Sequence, residues 1–257
     1  MSEHPCDGPW LSLDDMLATC APKDVGPFLE AAADWGLTGI MACTDGLLAY
    51  PMALPESLGV LEIQDVGSSG DPTQSQATGS GADLVALRPG RDQERAAVLD
   101  LRGTGPLHST AIVPWPDLTA VLLPRADEDT LDALSRFEDL AVFVPGDEFA
   151  SGYRLGAASH FGVLTALHPW AAVQASELVS EDLPLALDLE RRLQRFLETD
   201  VAPRLRRLGL GLEDRDTLLV EVLGWCPVER PRLAPGDAES LADSLRMDLA
   251  ELFRDAP

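Results

Sequence analysis

The sequence contains almost no lysine: Lys23, close to the N-terminus, is the only one among 257 residues. Chemistry that needs a lysine amine, such as imine formation with a carbonyl substrate, therefore has a single residue to depend on. Lys23 falls in the loop after the first predicted strand, where we interpret it as a solvated surface charge.

Cysteine is also scarce, and its spacing excludes several classes of protein. Cys6, Cys20, Cys43 and Cys226 lie far apart and form no C-x-x-C pair. Zinc and redox motifs are therefore not indicated, and a disulfide framework is not expected in a chain of this length. The glycine-rich segment 67–70 lacks the lysine of a phosphate-binding loop. We expect no metal and no cofactor.

The sequence also has few basic residues and no long apolar run. The chain has 19 basic residues against 43 acidic ones, a formal net charge of −24. This balance argues against nucleic acid and against anionic membrane surfaces, which both require basic patches. No apolar run approaches the ~20 residues that span a bilayer. The N-terminus has no cationic start typical of a signal peptide, so we expect a cytoplasmic protein.

The most informative stretch runs from Asp139 to Trp170, with the sequence DLAVFVPGDEFASGYRLGAASHFGVLTALHPW. Residues 140–144 form a short apolar run closed by Pro-Gly, which is typical of a buried strand. A short amphipathic helix at 149–158 and a second apolar run at 161–167 follow. Strand, helix and strand in this order predict a βαβ unit with parallel strands.

The same alternation of elements extends through the first 180 residues. It predicts strands at 15–21, 37–43, 60–66, 83–87, 107–113, 118–123, 140–144 and 161–167, and helices at 25–35, 92–101, 130–137, 149–158 and 171–179. The composition of 67–81 predicts a weak or flexible loop. From residue 183 onward the pattern is wholly helical, with an apolar stripe from Leu185 to Leu197.

This order predicts a TIM (β/α)8 barrel with shortened helices in residues 1–180, followed by a C-terminal helical extension in residues 181–257 that packs on the barrel. Repeated βα units also fit a doubly wound open sheet, which remains the alternative.

The pattern resembles the dihydrodipicolinate synthase and N-acetylneuraminate lyase family. The resemblance rests on the strand–Gly-Asp–helix–strand order around Gly146-Asp147, on Thr44 and Gly46 in the turn after LTGIMAC, and on the terminal helices. It implies a barrel in which a lysine at the end of the sixth strand forms a Schiff base with a 2-oxo acid.

The residues that the resemblance places at the family's functional positions are nevertheless different. The lysine position falls on Leu122, the fifth-strand tyrosine motif has only Ala111-Ile112-Val113-Pro114, and no arginine follows at 115–118. The second-strand turn has Asp45 where a threonine is usual, and Asp45 would repel a substrate carboxylate. We therefore judge Schiff-base lyase or aldolase activity very improbable.

Other polar residues at predicted strand ends are weaker candidates for a site. In a barrel of this kind the active site lies at the carboxyl ends of the strands. The residues expected there are Thr44, Asp45, His108, Asp147, Glu148 and His168, which could together perform acid–base chemistry. None shows a metal-binding spacing such as H-x-H or H-E-x-x-H.

Two functions therefore remain open at the level of sequence. The first is a catalytically degenerate barrel that serves binding, assembly or regulation, with a small molecule at the barrel mouth, a second copy of itself or an active homologue as partner. The second is a diverged enzyme that uses the acids and histidines of the barrel mouth on a small neutral or cationic substrate.

Overall fold

The computed structural model describes residues 8–43, 54–64, 83–88, 96–100, 118–137, 140–211, 214–224, 227–229, 231 and 233–253. Within these ranges, the chain forms one closed barrel whose strands follow each other in sequence order around the sheet. The barrel confirms the predicted fold class and excludes the open doubly wound sheet, because β1 pairs with β8 and closes the ring.

The strands are short, as expected for a barrel of this size. They are β1 Gly8–Ser12, β2 Gly39–Cys43, β3 Gly59–Gln64, β4 Asp83–Arg88, β5 Ala96–Asp100, β6 Leu118–Leu122, β7 Ala141–Pro145 and β8 Ser159–Phe161. Neighbouring strands are parallel except at β4, which runs antiparallel to both β3 and β5. The sheet thus departs from the all-parallel TIM pattern at one strand.

The helices cluster around the N-terminal and C-terminal strands. In the described residues they are α1 Leu13–Leu17, α2 Pro22–Asp34, α3 Glu128–Leu134, α4 Phe149–Arg154, α5 Val163–Leu167, α6 Pro169–Glu181, α7 Leu183–Phe196, α8 Ala202–Leu208, α9 Arg215–Leu223 and α10 Pro235–Leu252, with a π-helical segment Leu197–Val201 between α7 and α8. None of them is long and apolar enough to cross a bilayer.

Alternate residues of the strands point into the barrel, because side chains of a strand alternate between its two faces. One buried cluster fills the interior and consists of Trp10, Met41, Ala120, Leu122, Ala141, Phe143 and Phe161. The residues between them in sequence, such as Val121 and Val142, pack outward against α3. Leu122, at the position that the resemblance gives to the lysine, thus points inward beside Ala120.

Trp10 is the largest side chain of the interior and is completely buried. Its indole ring meets Phe143 edge to face, with ring centroids 5.5 Å apart. Two glycines of the neighbouring strands make room for it: a Cβ at Gly39 would lie 2.4 Å from the indole Cζ3, and a Cβ at Gly59 would lie 2.8 Å from Cη2. The indole therefore requires glycine at both positions.

The C-terminal helices share the main hydrophobic core with the barrel. One buried cluster contains outward-facing residues of β1 and β2, such as Leu11 and Ile40, together with residues of α9 and α10, such as Leu219 and Leu245. The stripe expected from Leu185 to Leu197 lies mostly in this cluster, where Leu193 is completely buried. Leu185 alone among the leucines of the stripe is exposed.

Three sequence predictions about elements were wrong. Residues 15–21 are not the first strand: α1 begins after Ser12, whose Oγ accepts from the Asp15 N–H, and the strand is the preceding Gly8–Ser12. Residues 96–100, expected within a helix, form β5. The apolar run 161–167 is mainly α5, because the chain turns at Gly162 with φ of 84°.

Several other predictions lie outside the described residues, namely the strand at 107–113 and the loop at 67–81. The predicted strands at 37–43, 60–66, 83–87, 118–123 and 140–144 and the helices at 25–35, 130–137, 149–158 and 171–179 all coincide with observed elements to within a few residues.

We predict that Trp10→Ala destabilises the barrel by about 3–5 kcal/mol, because it leaves a large cavity that the surrounding strands cannot close. Urea unfolding followed by circular dichroism measures the change. Trp35→Ala is the matched control, since Trp35 is 41% exposed, and it should cost less than about 1 kcal/mol. Equal effects of the two substitutions would contradict the role assigned to Trp10.

Candidate functional site

The carboxyl ends of β1, β7 and β8 lie side by side at one end of the barrel, which we call the barrel mouth. After β7 the chain makes a 3-10 turn at Gly146–Glu148 before α4 begins. Glycine is needed at the start of this turn, because a Cβ at Gly146 would lie 3.0 Å from the Leu164 side chain and from the Phe161 carbonyl oxygen. The turn therefore packs tightly against the end of β8.

An arginine from the C-terminal helices reaches this end of the barrel. Nε of Arg215, the first residue of α9, donates to Oδ1 of Asp216 at 2.8 Å, and its Nη1 lies 3.6 Å from Oδ2 of Asp147. Asp15 of α1 adds a further attractive charge and accepts a 2.6 Å hydrogen bond from the Thr217 hydroxyl. We call Asp15, Asp147, Arg215 and Asp216 the Arg215 cluster.

The Arg215 cluster has more negative than positive charge, with three carboxylates around one guanidinium. Burial lowers the pKa of Arg215, but Asp216 and Asp147 raise it more, so the net shift is upward and the guanidinium stays charged. The ion pairs are only partly exposed, and water screens them less than it screens surface pairs. The cluster thus connects α9 to the turn after β7 and to α1.

Two further side chains of α7 contact this region, Glu190 at α4 and Gln194 at the turn itself. Glu190, 2% exposed, accepts hydrogen bonds from the backbone N–H of Ser151, at 2.8 Å, and from the Ser151 hydroxyl. Gln194 donates through Nε2 to the carbonyl oxygen of Asp147 at 2.8 Å. The conformation of the turn after β7 therefore depends on helices that follow the barrel in the sequence.

Glu148 occupies a different position, between the carboxyl ends of β6 and β7. Its carboxylate accepts a hydrogen bond from the backbone N–H of Ala126. Burial raises the pKa of Glu148, the hydrogen bond from Ala126 opposes that shift, and Asp147 and Glu190 add to it. A carboxyl group with a raised pKa at this end of a barrel could donate a proton to a bound molecule.

His168 lies at the junction of α5 and α6. It precedes α6 as the N-cap residue, and its Nδ1 accepts from the backbone N–H of Ala171 at 3.3 Å. Its ring lies 6.1 Å from that of Trp170 and 6.5 Å from that of Phe253. Burial lowers the pKa of His168. These contacts assign it a helix-capping and packing role.

The remaining candidates lie outside the described residues or in the barrel interior. Thr44, Asp45 and His108 lie outside the described residues. Leu122 lies inside the barrel with 0% exposure. Among the described residues, no group of three or more histidines, cysteines and acids is placed to hold a metal ion.

Sequence reasoning missed Arg215, Asp15 and Glu190. The only sequence signal was the run Glu213-Asp214-Arg215-Asp216, in which a single arginine is surrounded by acids. That run lies in the predicted helical extension, and nothing local indicates that its side chains return to the barrel.

Comparison with known proteins identifies the class of barrel. The sequence matches no protein-family model, and no curated protein matches it. Among solved structures, sialic acid aldolase from Ruminococcus gnavus aligns with a TM-score of 0.60 and 12% identity, over 98% of this chain and 100% of that one.

Two further structures agree with this similarity. A dihydrodipicolinate synthase family protein from Coccidioides immitis aligns with a TM-score of 0.55 and 14% identity, over 100% of both chains. Dihydrodipicolinate synthase from Agrobacterium tumefaciens aligns with a TM-score of 0.54 and 11% identity, over 95% of this chain and 98% of that one. The chain therefore has the barrel fold of the dihydrodipicolinate synthases and sialic acid aldolases, as the resemblance predicts. Identities this low establish the fold and leave the chemistry to be argued from residues.

We predict that Arg215→Met lowers the free energy of unfolding by on the order of 2 kcal/mol, because it leaves the neighbouring carboxylates without their cation. Arg191→Met is the control, since Arg191 pairs with Asp188 on the surface with its side chain 69% exposed. The control should cost less than about 1 kcal/mol. Urea unfolding at low salt compares them, and equal effects would show that the Arg215 cluster does not hold α9 to the barrel.

Proposed function

We propose that this chain is a barrel of the dihydrodipicolinate synthase type that has no Schiff-base chemistry and serves binding, assembly or regulation. The observation that carries the proposal is the filled interior of the barrel. Trp10, Met41, Leu122 and Phe143 occupy the space inside the strands and are each at most 1% exposed. A 2-oxo acid at the level of Leu122 would have to displace this packing.

The lysine content supports the same conclusion. Imine formation requires a lysine amine that reaches the substrate carbonyl. Lys23 is the only lysine of the chain, and it is exposed in the first turn of α2. No other residue can replace it in that step.

The charges at the barrel mouth favour a particular kind of ligand. Within the described part of the mouth, the carboxylates of Asp15, Asp147 and Asp216 outnumber the one guanidinium of Arg215, and Glu148 follows Asp147 in sequence. An anionic 2-oxo acid would be repelled by this excess, whereas a neutral or cationic molecule would not. Binding at the mouth is therefore directed at a different class of molecule from the 2-oxo acids.

Assembly needs a surface other than the leucine stripe. Most of that stripe is buried within the chain itself, and Leu185 is its exposed end. A homo-oligomer or a complex with an active homologue would thus use another face, and light scattering after size-exclusion chromatography measures whether the purified chain is a monomer.

The direct test of the proposal is trapping with borohydride. Incubation with pyruvate and sodium borohydride should leave the intact mass unchanged, or produce an adduct that peptide mapping places at Lys23 or the N-terminal amine. The Lys23→Arg variant is the control for an adduct at Lys23, because it removes that amine. Turnover of pyruvate together with a specific, stoichiometric adduct would refute the proposal.

Restoring the lysine should not restore activity. We predict that Leu122→Lys lowers the thermal midpoint clearly, because an ammonium in the apolar interior must lose either its charge or its hydration. Leu122→Met keeps the volume nearly constant and should cost less than about 1.5 kcal/mol. A pyruvate-consumption assay on the folded Leu122→Lys protein should remain negative. A midpoint equal to that of the unsubstituted chain would contradict the burial of Leu122.

A second function is favoured by the position of Glu148, whose partly buried carboxylate accepts a hydrogen bond from the backbone N–H of Ala126 near the mouth. In a diverged enzyme, this carboxyl would act as a general acid toward a small neutral or cationic substrate at the mouth. The placement of His168 as a helix cap gives no support to a second catalytic group there. Glu148 would therefore have to act with water or with residues outside the described part of the chain.

The pH dependence of stability tests the state of Glu148. A raised pKa means that the folded chain binds this proton more tightly than the unfolded chain, so ionisation destabilises the fold as pH rises above the ordinary glutamate value. We predict that Glu148→Gln changes the free energy of unfolding more favourably at neutral pH than at acidic pH, each time relative to the unsubstituted chain. Glu181→Gln, on the exposed end of α6, is the control. Without a pH-dependent difference between them, the general-acid hypothesis loses its support.

A further inference from the structure

A cleft of about 360 Å³ opens on the barrel, away from the mouth, between α4 and α6. The first residues of β1 and β8, Gly8 and Ser159, form its floor. The cleft is therefore near the amino ends of these strands, opposite the carboxyl ends that carry the Arg215 cluster. Since active sites of such barrels lie at the carboxyl ends, the cleft is separate from the site discussed above.

Apolar surface makes up most of the cleft walls, and the polar residues of the lining are Tyr153, Ser159, His160, Ser176, Glu177 and Ser180. Phe149, Ala157 and Val179 contribute apolar surface, and Tyr153 and Glu177 lie at the exposed edge. Small-molecule sites in proteins typically have this composition, in which an apolar lining surrounds a small number of polar groups that orient the ligand.

His160 of β8 contributes a buried ring nitrogen to this lining that has no hydrogen-bond partner among the described residues. Its side chain points outward from the barrel and is only 5% exposed. Its ring packs against that of Phe149 at 5.8 Å. The buried nitrogen is Nε2. Such orphaned buried atoms are rare in folded proteins, because the lost hydrogen bond is not replaced.

The chemistry of His160 defines what could pair with it. Burial lowers the pKa of His160 to about 4, so the imidazole is neutral at physiological pH. A neutral imidazole has one donor and one acceptor nitrogen, and a hydroxyl group can pair with either. A charged ligand would lose its hydration against the apolar walls, and Glu177 would in addition repel an anion.

We propose that this cleft binds a small uncharged molecule with an apolar body and one hydroxyl group, and that the hydroxyl pairs with Nε2 of His160. Such a ligand would stabilise the folded state by an amount that grows with the logarithm of its concentration once that concentration exceeds the Kd. The proposal does not depend on the function assigned to the barrel mouth, because it uses none of the same residues.

The experiment compares benzyl alcohol with ethylbenzene, which have nearly the same shape but differ in the hydroxyl group. Long-range ¹H–¹⁵N spectra of the full chain follow the ring nitrogens of His160 during titration. Benzyl alcohol should shift the His160 Nε2 resonance saturably and bind about threefold or more tightly than ethylbenzene, as expected for one neutral hydrogen bond. The absence of a saturable shift up to the solubility limit would overturn the proposal.

Two variants separate the hydrogen bond from apolar binding. His160→Phe should bind both probes with affinities within about twofold of each other, because it keeps the ring and removes the nitrogen. His168→Asn, which can still cap α6, should preserve the preference for the alcohol. A preference retained in His160→Phe, or equal affinity of the two probes for the unsubstituted chain, would refute the pairing. The spectra of the unsubstituted chain decide the question even if a variant does not fold.

Discussion

The packing of one indole inside the barrel constrains much of this structure. Trp10 occupies the interior at the level of β2 and β3, and both neighbours have glycine where a larger residue would collide with the ring. Phe143 completes the contact from the opposite side through an edge-to-face arrangement, which aromatic rings prefer over face-to-face stacking. Because interiors are close-packed, the strands cannot move independently of this ring.

The filled interior and the charged mouth support the proposal that this chain keeps the barrel fold without Schiff-base chemistry. The position expected for a lysine holds Leu122, which contributes to the apolar filling instead of projecting an amine. Above it, Arg215 enters from α9 and pairs with Asp147 and Asp216. A fold supports many functions because function resides in a few side chains at the strand ends, and here those side chains hold helices to the barrel.

The C-terminal helices are part of the barrel's structure and are not an independent addition to it. Gln194 of α7 hydrogen-bonds the turn that follows β7, and Glu190 of α7 hydrogen-bonds Ser151 in α4. Arg215 of α9 forms an ion pair with Asp147 in the same turn. One hydrophobic cluster continues from the outer faces of β1 and β2 into α9 and α10. A change at the mouth would therefore be transmitted to these helices through direct contacts.

The sequence alone determined β6 and β7, because short apolar runs closed by proline and glycine define strands locally. It favoured a barrel over an open sheet, and the pairing of β1 with β8 decided between them. It misassigned 161–167, since a continuous apolar run fits a buried helix as well as a strand, and it missed β1, whose Gly8 and Pro9 resemble a loop. The Arg215 cluster and the unpaired His160 were decided only by tertiary structure. Their partners lie far apart in the chain, and no local pattern records which distant side chains the folded barrel brings together.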